Sequence, residues 1–259
     1  MSTLRRRAVG FIAPVLWGVF VLFAWERFVD WRNIKPFLLP APTRIREQLS
    51  ANWDGILASA RATGSNALWG LVIGALVAVA VAFVAQRFGF VKDLIAPLAA
   101  ALNTMPIVAL APVFYNLFGT TSLTSRRVVV AMVVFFPVFV NVLKGLTQVD
   151  PVHRELMESY AASDTAFLRK VRLPNALPYL LTGLRISSSL AVIAAIVVEY
   201  FGGLQNGLGS RVTSAMKLSA TAKAWAYIAA ACALGLIFYA VALIIERLAM
   251  PWQRGRRET

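Results

Sequence analysis

Ionisable side chains are scarce in this 259-residue chain, and one short stretch gathers them: Glu155, Glu158, Asp164, Arg169, Lys170 and Arg172. Carboxylates and cations packed this densely can fix the register of a docked partner, because complementary charge rejects misaligned approaches. Covalent and metal chemistry have far less to draw on. His153 is the single histidine and Cys232 the single cysteine, so neither a zinc-type ligand spacing nor a nucleophile–base pair can be drawn. Cys232 lies in an apolar run, reads as a small packing residue and cannot close an internal disulfide. No Gly-x4-Gly-Lys-Ser/Thr phosphate loop occurs. The chain is therefore expected to bind no cofactor of its own and not to be an enzyme.

The elements that carry the charged stretch are read from composition. Hydrophobic residues make up 59% and charged residues 15%, with a mean hydropathy of +0.68. That is too apolar for a soluble domain of this length. Charge is absent from Ala8 to Trp25, Ala62 to Gln86, Leu94 to Ser125, Val128 to Leu143 and Ala224 to Ile245. Several of these runs match the roughly 20 apolar residues that cross about 30 Å of hydrocarbon. The expected fold is an all-α polytopic membrane protein with about six transmembrane helices, drawn at 8–25, 64–86, 93–117, 127–148, 176–200 and 225–248. Arg5–Arg7 resemble the start of a signal peptide, but no small-x-small cleavage site follows, so the first run is read as a helix with a cytoplasmic N-terminus. On that topology 15 of the 26 Lys and Arg residues fall on the cytoplasmic side against 11 outside, and both termini are inside. The net charge of +14 comes largely from clusters beside spans, where anionic lipid attracts them. A soluble basic face with groove-reading elements is missing, which argues against nucleic acid.

The charged stretch itself has helix signals. Asp150 can cap a helix that opens with Pro151. Leu156, Met157, Tyr160 and Ala161 then form an apolar stripe opposed by Arg154, Glu155 and Glu158. Ser163 is expected to cap a second helix through Arg172, with Leu173-Pro174 and Leu177-Pro178 ending it before the next span. A polar helix–turn–helix between two spans must lie outside the lipid. Amphipathicity alone leaves two readings level: a docking knob, or an interfacial helix resting on lipid. After the first span, Phe37 to Pro42 is Pro-punctuated, and Thr43 is expected to cap a short amphipathic helix with Ile45, Leu49 and Trp53 on its membrane side. Gly202, Gly203, Gly207 and Gly209 mark a turn where chain packs closely on chain.

Polar groups inside spans mark candidate pathway positions. Asn103 and Asn116 lie in a run expected to be broken by Pro97, Pro106 and Pro112, and broken helices often line cavities. Asn141, Ser187, Ser188 and Ser189 are further candidates, although such residues also bond helix to helix. Arg185, near the cytoplasmic side of the fifth span, is expected to snorkel or to pair with an acid of the knob. Glu199, at that span's outer end, is read as a gate or structural contact rather than a substrate ligand. A self-sufficient secondary transporter or channel is the main rival reading. Against it stand the lack of a repeated acidic residue near the midplane and of duplicated halves. A membrane-embedded enzyme lacks a catalytic constellation.

The order of residues in the knob resembles the signature loop of permease subunits of binding-protein-dependent ABC importers, Glu-Ala-Ala-x3-Gly-x9-Ile-x-Leu-Pro. Counted back from Leu173-Pro174, Val171 stands at the Ile position, Ala161 at the Gly position and Glu155 at the leading Glu, while Leu156 and Met157 replace the two alanines. Leu39 to Thr43, Pro106 to Gly119, Phe136-Pro137 through Leu146, Thr182 to Arg185, and Glu199 to Gly209 are similar to the subfamily that imports sulfonates, taurine or nitrate, with relatives carrying vitamin precursors. The likeness covers about residues 10–250 of a single permease domain, 1–259, whose coupling loop spans about 150–175. The resemblance implies a type I importer permease in a bacterial inner membrane, two copies of which form the pathway. It implies an ATPase partner holding ATP and Mg, and an external solute-binding protein that delivers cargo. It also assigns coupling to Glu155, Met157, Glu158, Tyr160, Ala161, Ala162, Ser163 and Asp164.

Overall fold

The structure is a computed structural model describing residues 3–90, 94, 95, 97, 98, 101 and 106–251, and among these it is helical with no strand. The helices delimited among the described residues are, in chain order, α1 (Thr3–Trp31), α2 (Pro42–Ala51), α3 (Trp53–Arg87), α4 (Ile107–Phe118), α5 (Leu123–Thr147), α6 (Pro151–Ser159), α7 (Asp164–Phe167), α8 (Leu173–Phe201), α9 (Leu208–Lys217) and α10 (Thr221–Ala249). A π turn, Leu168–Arg172, joins α7 to α8. Among the described residues, five helical stretches are long and apolar enough to cross a membrane: Ile12–Trp31, Trp53–Arg87, Leu123–Thr147, Asp164–Phe201 and Thr221–Ala249. The third expected span falls partly outside the described residues; its described helix is α4, which is shorter. Pro112 does not break α4, as the sequence suggested, but lies inside it.

The core is a three-helix layer in which α3 packs along α5 and α5 along α8. Lipid tails are as apolar as leucine, so close approach rather than water exclusion must hold such helices together. The sequence supplies small residues where this is needed. Ala67, Gly70, Gly74, Ala78, Ala82 and Ala85 recur every three or four positions and form the buried face of α3. They meet Val130, Val134 and Val138 of α5, while Ala191, Ala194 and Ala195 of α8 belong to the same cluster. At Gly74 a Cβ would lie 2.9 Å from the Ala131 Cα, so any larger residue must push α3 and α5 apart. A second cluster seats α2, α9 and α10 around Ile45, Ile56, Leu208, Val212, Ala224 and Tyr227.

Local signals explain several junctions and correct others. Asp150 caps α6 as expected: its Oδ1 accepts from the Val152 N–H at 2.9 Å. Ser163 does cap α7, its Oγ accepting from the Ala166 N–H at 3.3 Å. The helix that follows does not end at Leu173-Pro174 or at Leu177-Pro178. It continues through both into α8, a run of 38 residues from Asp164 to Phe201. Proline in a helix lacks a donor and clashes with the carbonyl four residues back. The π turn widens the backbone directly before Pro174, with the Leu173 N–H donating to the Leu168 carbonyl, and so accommodates the ring. Thr43 is not a cap either. α2 starts at Pro42 without a side-chain cap, and Thr43 instead donates to Glu26 of α1 through its hydroxyl at 2.7 Å and its N–H at 3.1 Å. Of the residues placed on the membrane side of α2, Ile45 is buried and Leu49 half-buried, whereas Trp53 is exposed.

Candidate functional site: a docking knob and a buried outer cluster

The knob is α6, its turn and α7, and no residue of either helix is buried. α6 ends in two backbone bonds, Ala161 N–H to the Glu158 carbonyl at 2.9 Å and Ala162 N–H to the Met157 carbonyl at 3.0 Å. These are the paired bonds of a Schellman stop, which needs a left-handed residue between helix and exit. That residue is Ala161, with φ +47°. The left-handed turn thus forms with alanine at the position where glycine would carry no Cβ penalty. The turn reverses the chain and brings the candidate coupling residues together. Glu155, Glu158, Tyr160, Ala161, Ser163 and Asp164 are exposed, while Met157 and Ala162 are half-buried. A small cleft of about 240 Å³ separates the two arms, lined by Met157, Glu158, Ala162, Asp164, Phe167 and flanking arginines. Val152, Leu156 and Tyr160 stay exposed at 67%, 49% and 75%. An apolar tip ringed by Glu155, Glu158 and Asp164 has the make-up of a protein-docking surface, an apolar centre with a charged rim.

The knob is anchored to the bundle on its inner side. The Asn175 side-chain amide donates to the Gly145 carbonyl at 2.7 Å and the Gln148 carbonyl at 3.1 Å, tying the start of α8 to the end of α5. Arg87, at the end of α3, lies 3.9 Å from Asp164, although both are solvated and the pair contributes little. Arg185 pairs with no knob acid. Its guanidinium meets Glu246 of α10 at 2.8 Å, because one face of α8 packs on α10.

At the far end of α8 lies a polar cluster that is sealed from solvent. Glu199 and Arg126 are both 0% exposed. The Glu199 carboxylate accepts from Thr63 Oγ1 at 2.7 Å, Asn66 Nδ2 at 3.3 Å and the Gly209 N–H at 3.3 Å, with Arg126 Nη1 at 3.5 Å. Arg126 also donates to Asn206 Oδ1 at 2.9 Å and to the Leu204 carbonyl. Thr63 in turn accepts from the Leu208 N–H at 2.9 Å, and Tyr115 donates to the Val198 and Gly202 carbonyls at 3.1 and 2.8 Å. A Cβ at Gly207 would collide with the Glu199 carboxylate, which is the close approach the glycine-rich loop provides. A buried ion survives only when paired and bonded. Here α3, α5, α8, α9 and the loop before α9 all contribute partners, and Tyr115 of α4 bonds the backbone beside them.

Sequence reasoning placed Glu199 beside the glycine loop but missed Arg126, Thr63, Asn66, Tyr115 and Asn206. Arg126 stands one residue before the expected span 127–148 and falls among the 11 outer charges. The signal available was its place at the start of an apolar run, on the same side as Glu199. No hydrogen bond joins one described pathway candidate to another. Asn141 donates to the Pro137 carbonyl of its own helix at 2.7 Å. Ser187 donates to the Val134 carbonyl at 3.5 Å and Ser188 to the Arg185 carbonyl at 2.7 Å, and both are buried. Ser189 is half-buried and Asn116 exposed on α4. Asn103 lies outside the described residues.

Residues 70–250 match the model of the binding-protein-dependent transport system inner membrane component family. The chain belongs to that family. The permease is 29% identical over 251 residues to the formylaminopyrimidine transport permease protein ThiX of Halalkalibacterium halodurans, covering 96% of this chain and 99% of that one. It is 29% identical over 246 residues to the riboflavin transport system permease protein RibX of Chloroflexus aurantiacus, covering 93% and 89%. It is 27% identical over 244 residues to the taurine transport system permease protein TauC of Escherichia coli, covering 90% and 86%. A chain in a crystal structure of an amino acid ABC transporter with histidines shares its fold, with a TM-score of 0.64 at 16% identity over 77% of this permease and 96% of that chain. The protein is thus a permease component of a binding-protein-dependent importer of the inner membrane, with the type I permease fold. The importer resemblance seen in the knob and the all-α membrane fold are both borne out.

Proposed function

We propose that the permease is one of two identical membrane subunits of an ATP-driven importer, and that α6 and α7 seat in a groove of a separate ATPase subunit. The observation that carries this reading is the knob: two helices with no buried residue, an apolar tip and an acidic rim, held on a rigid stem. Glu155, Glu158 and Asp164 set the register, Tyr160 and Leu156 fill the groove, and Ala161, Ala162 and Ser163 shape the turn between the arms. Met157 braces one arm on the other. ATP and Mg sit on the ATPase, and this chain binds no cofactor. Both termini and the knob lie on the cytoplasmic side. An external binding protein delivers a small solute of the sulfonate, taurine, nitrate or vitamin-precursor type. The Asn116 and Ser189 side chains make no hydrogen bond to another described residue and are our first choices for the pathway. Closure of the ATPase pair moves the two knobs and rocks the helices between outward- and inward-facing arrangements.

The test is purification of the tagged permease from its native membrane. An ATPase subunit should be recovered in about equal amount, and should be lost in Glu155→Lys or Ala161→Asp while the permease stays in the membrane. Normal uptake with stable ATPase association in either variant would sink the docking assignment. Activity after reconstitution without ATP would instead mean a self-sufficient transporter or channel.

A further inference from the structure

A second feature owes nothing to the knob. Between the outer third of α1, the amphipathic α2 and the first three turns of α10 lies a groove of about 510 Å³, within the size range of small-molecule sites. Its walls are apolar: Leu22 and Trp25 from α1, Ile45 and Leu49 from α2, Trp225 and Cys232 from α10. Trp25 and Trp225 meet edge to face at the closed side, with ring centroids 5.2 Å apart. The groove is continuous with surfaces that face hydrocarbon, since Leu16, Phe20 and Phe23 of α1 and Leu236 and Ile237 of α10 are all exposed.

Three details say what covers it. The groove runs along α10 from Trp225 to Cys232, which at about 1.5 Å per residue is roughly 10 Å, most of the apolar half-thickness of one leaflet. α2 closes its polar end and places Arg46 on the lining. The neighbouring charges are already engaged: Arg44 pairs with Glu47 at 3.8 Å, and both Glu26 oxygens accept from Thr43. Arg46 pairs with no acid among the described residues, so a cation stands at the mouth of an apolar slot. Inside, the Trp25 indole N–H is buried without a partner.

We infer that this groove is a phospholipid site, holding one acyl chain against Trp25 and Trp225 with the lipid phosphate on Arg46. The chemistry matches at both ends. The slot takes hydrocarbon laterally from the bilayer, and a guanidinium binds phosphate through charge-assisted bonds. The phosphate-ester region also supplies acceptors to the Trp25 N–H, as interfacial tryptophans use them. An annular lipid would show no preference for this position over any other exposed helix face. The inference needs only that the protein spans a membrane, and is independent of ATPase docking.

The test uses the permease with whatever subunits co-purify, reconstituted into nanodiscs containing a trace of phosphatidylglycerol with a photoactivatable diazirine on its acyl chain. Adducts are mapped by peptide mass spectrometry. They should concentrate on Trp225–Cys232 and on the Leu22–Trp25 segment, in excess over Leu236–Leu248, which is the more exposed part of α10. Arg46→Gln should reduce them about fivefold, the factor expected for one cation at an anionic headgroup. It should leave adducts from a diazirine diacylglycerol, which lacks phosphate, unchanged. Ala229→Trp, which fills the slot, should abolish both. Arg46 is exposed, so Arg46→Gln keeps the inference testable should Ala229→Trp fail to fold. Adducts spread evenly along α10, or unaffected by Arg46→Gln, would overturn the inference. So would a disulfide joining Cys232 of two copies on mild oxidation without lipid adducts, which would put a second subunit in the groove.

Discussion

Removing the Glu199 carboxylate is the sharpest physical perturbation available in this fold. Glu199 and Arg126 are both sealed from solvent, so screening does not discount their interaction. In Glu199→Ala the Arg126 guanidinium keeps Asn206 and the Leu204 carbonyl but loses its one charged partner among the described residues. Thr63, Asn66 and the Gly209 N–H lose an acceptor in the same stroke. Breaking a buried pair from one side costs about 3–5 kcal/mol. At roughly 2–4 °C per kcal/mol for a chain of this size, the apparent Tm should fall by about 6–20 °C. Glu199→Gln keeps the shape and one acceptor oxygen and should cost about 1–3 kcal/mol, the range for an imperfectly satisfied buried group. The double variant Arg126→Met, Glu199→Leu removes both charges and should recover at least about 1 kcal/mol relative to the sum of its single changes. The assay is thermal unfolding of the purified permease in one detergent at one scan rate, because membrane proteins rarely unfold reversibly. A Tm within about 2 °C of the unaltered chain for Glu199→Ala would refute the reasoning. Strict additivity in the double variant would show that the two residues do not interact.

Three further outcomes are expected. Ala161→Gly should leave ATPase recovery intact and hold or raise Tm slightly, since glycine removes roughly 1 kcal/mol of left-handed strain, whereas Ala161→Val should lower both. Arg185→Glu puts two acids together between α8 and α10 and should depress membrane yield, and adding Glu246→Arg should restore most of it; no recovery would mean the pair does not couple the helices. Gly74→Leu should cost about 3 kcal/mol or prevent accumulation, with Gly74→Ala intermediate, as read by Tm and membrane yield.

Long apolar runs announced the membrane and five of the spans, because hydrocarbon forbids unpaired backbone and so writes itself into sequence as length. The caps were legible for the same local reason: Asp150 and Ser163 act within their own turn. Failures came where a distant partner decides. Thr43 has a capping side chain, yet Glu26 of α1 claims it. Arg185 reads as a charge needing an acid, but only packing shows that Glu246 of α10 is nearer than the knob. Leu173-Pro174 reads as a stop, and the π turn that admits it has no sequence signal of its own. Arg126 is the clearest miss, since a cation at a span's end looks like any loop charge until four other elements close over it.

The unbroken run from Asp164 to Phe201 has a mechanical consequence. Thirty-eight helical residues make a rod of about 57 Å, nearly twice the hydrocarbon thickness. One end carries the knob and the other the Glu199 cluster. The run stays helical through the π turn, Pro174 and Pro178, so that it can act as a lever. Pivoting about its middle, a tilt of roughly five degrees carries the two tips through about 2.5 Å each, in opposite directions. Leverage on that scale needs no change of internal packing within the rod, only a fulcrum, and Gly183, whose missing Cβ lets the rod pass close to Val138 and Asn141 of α5, sits near its middle.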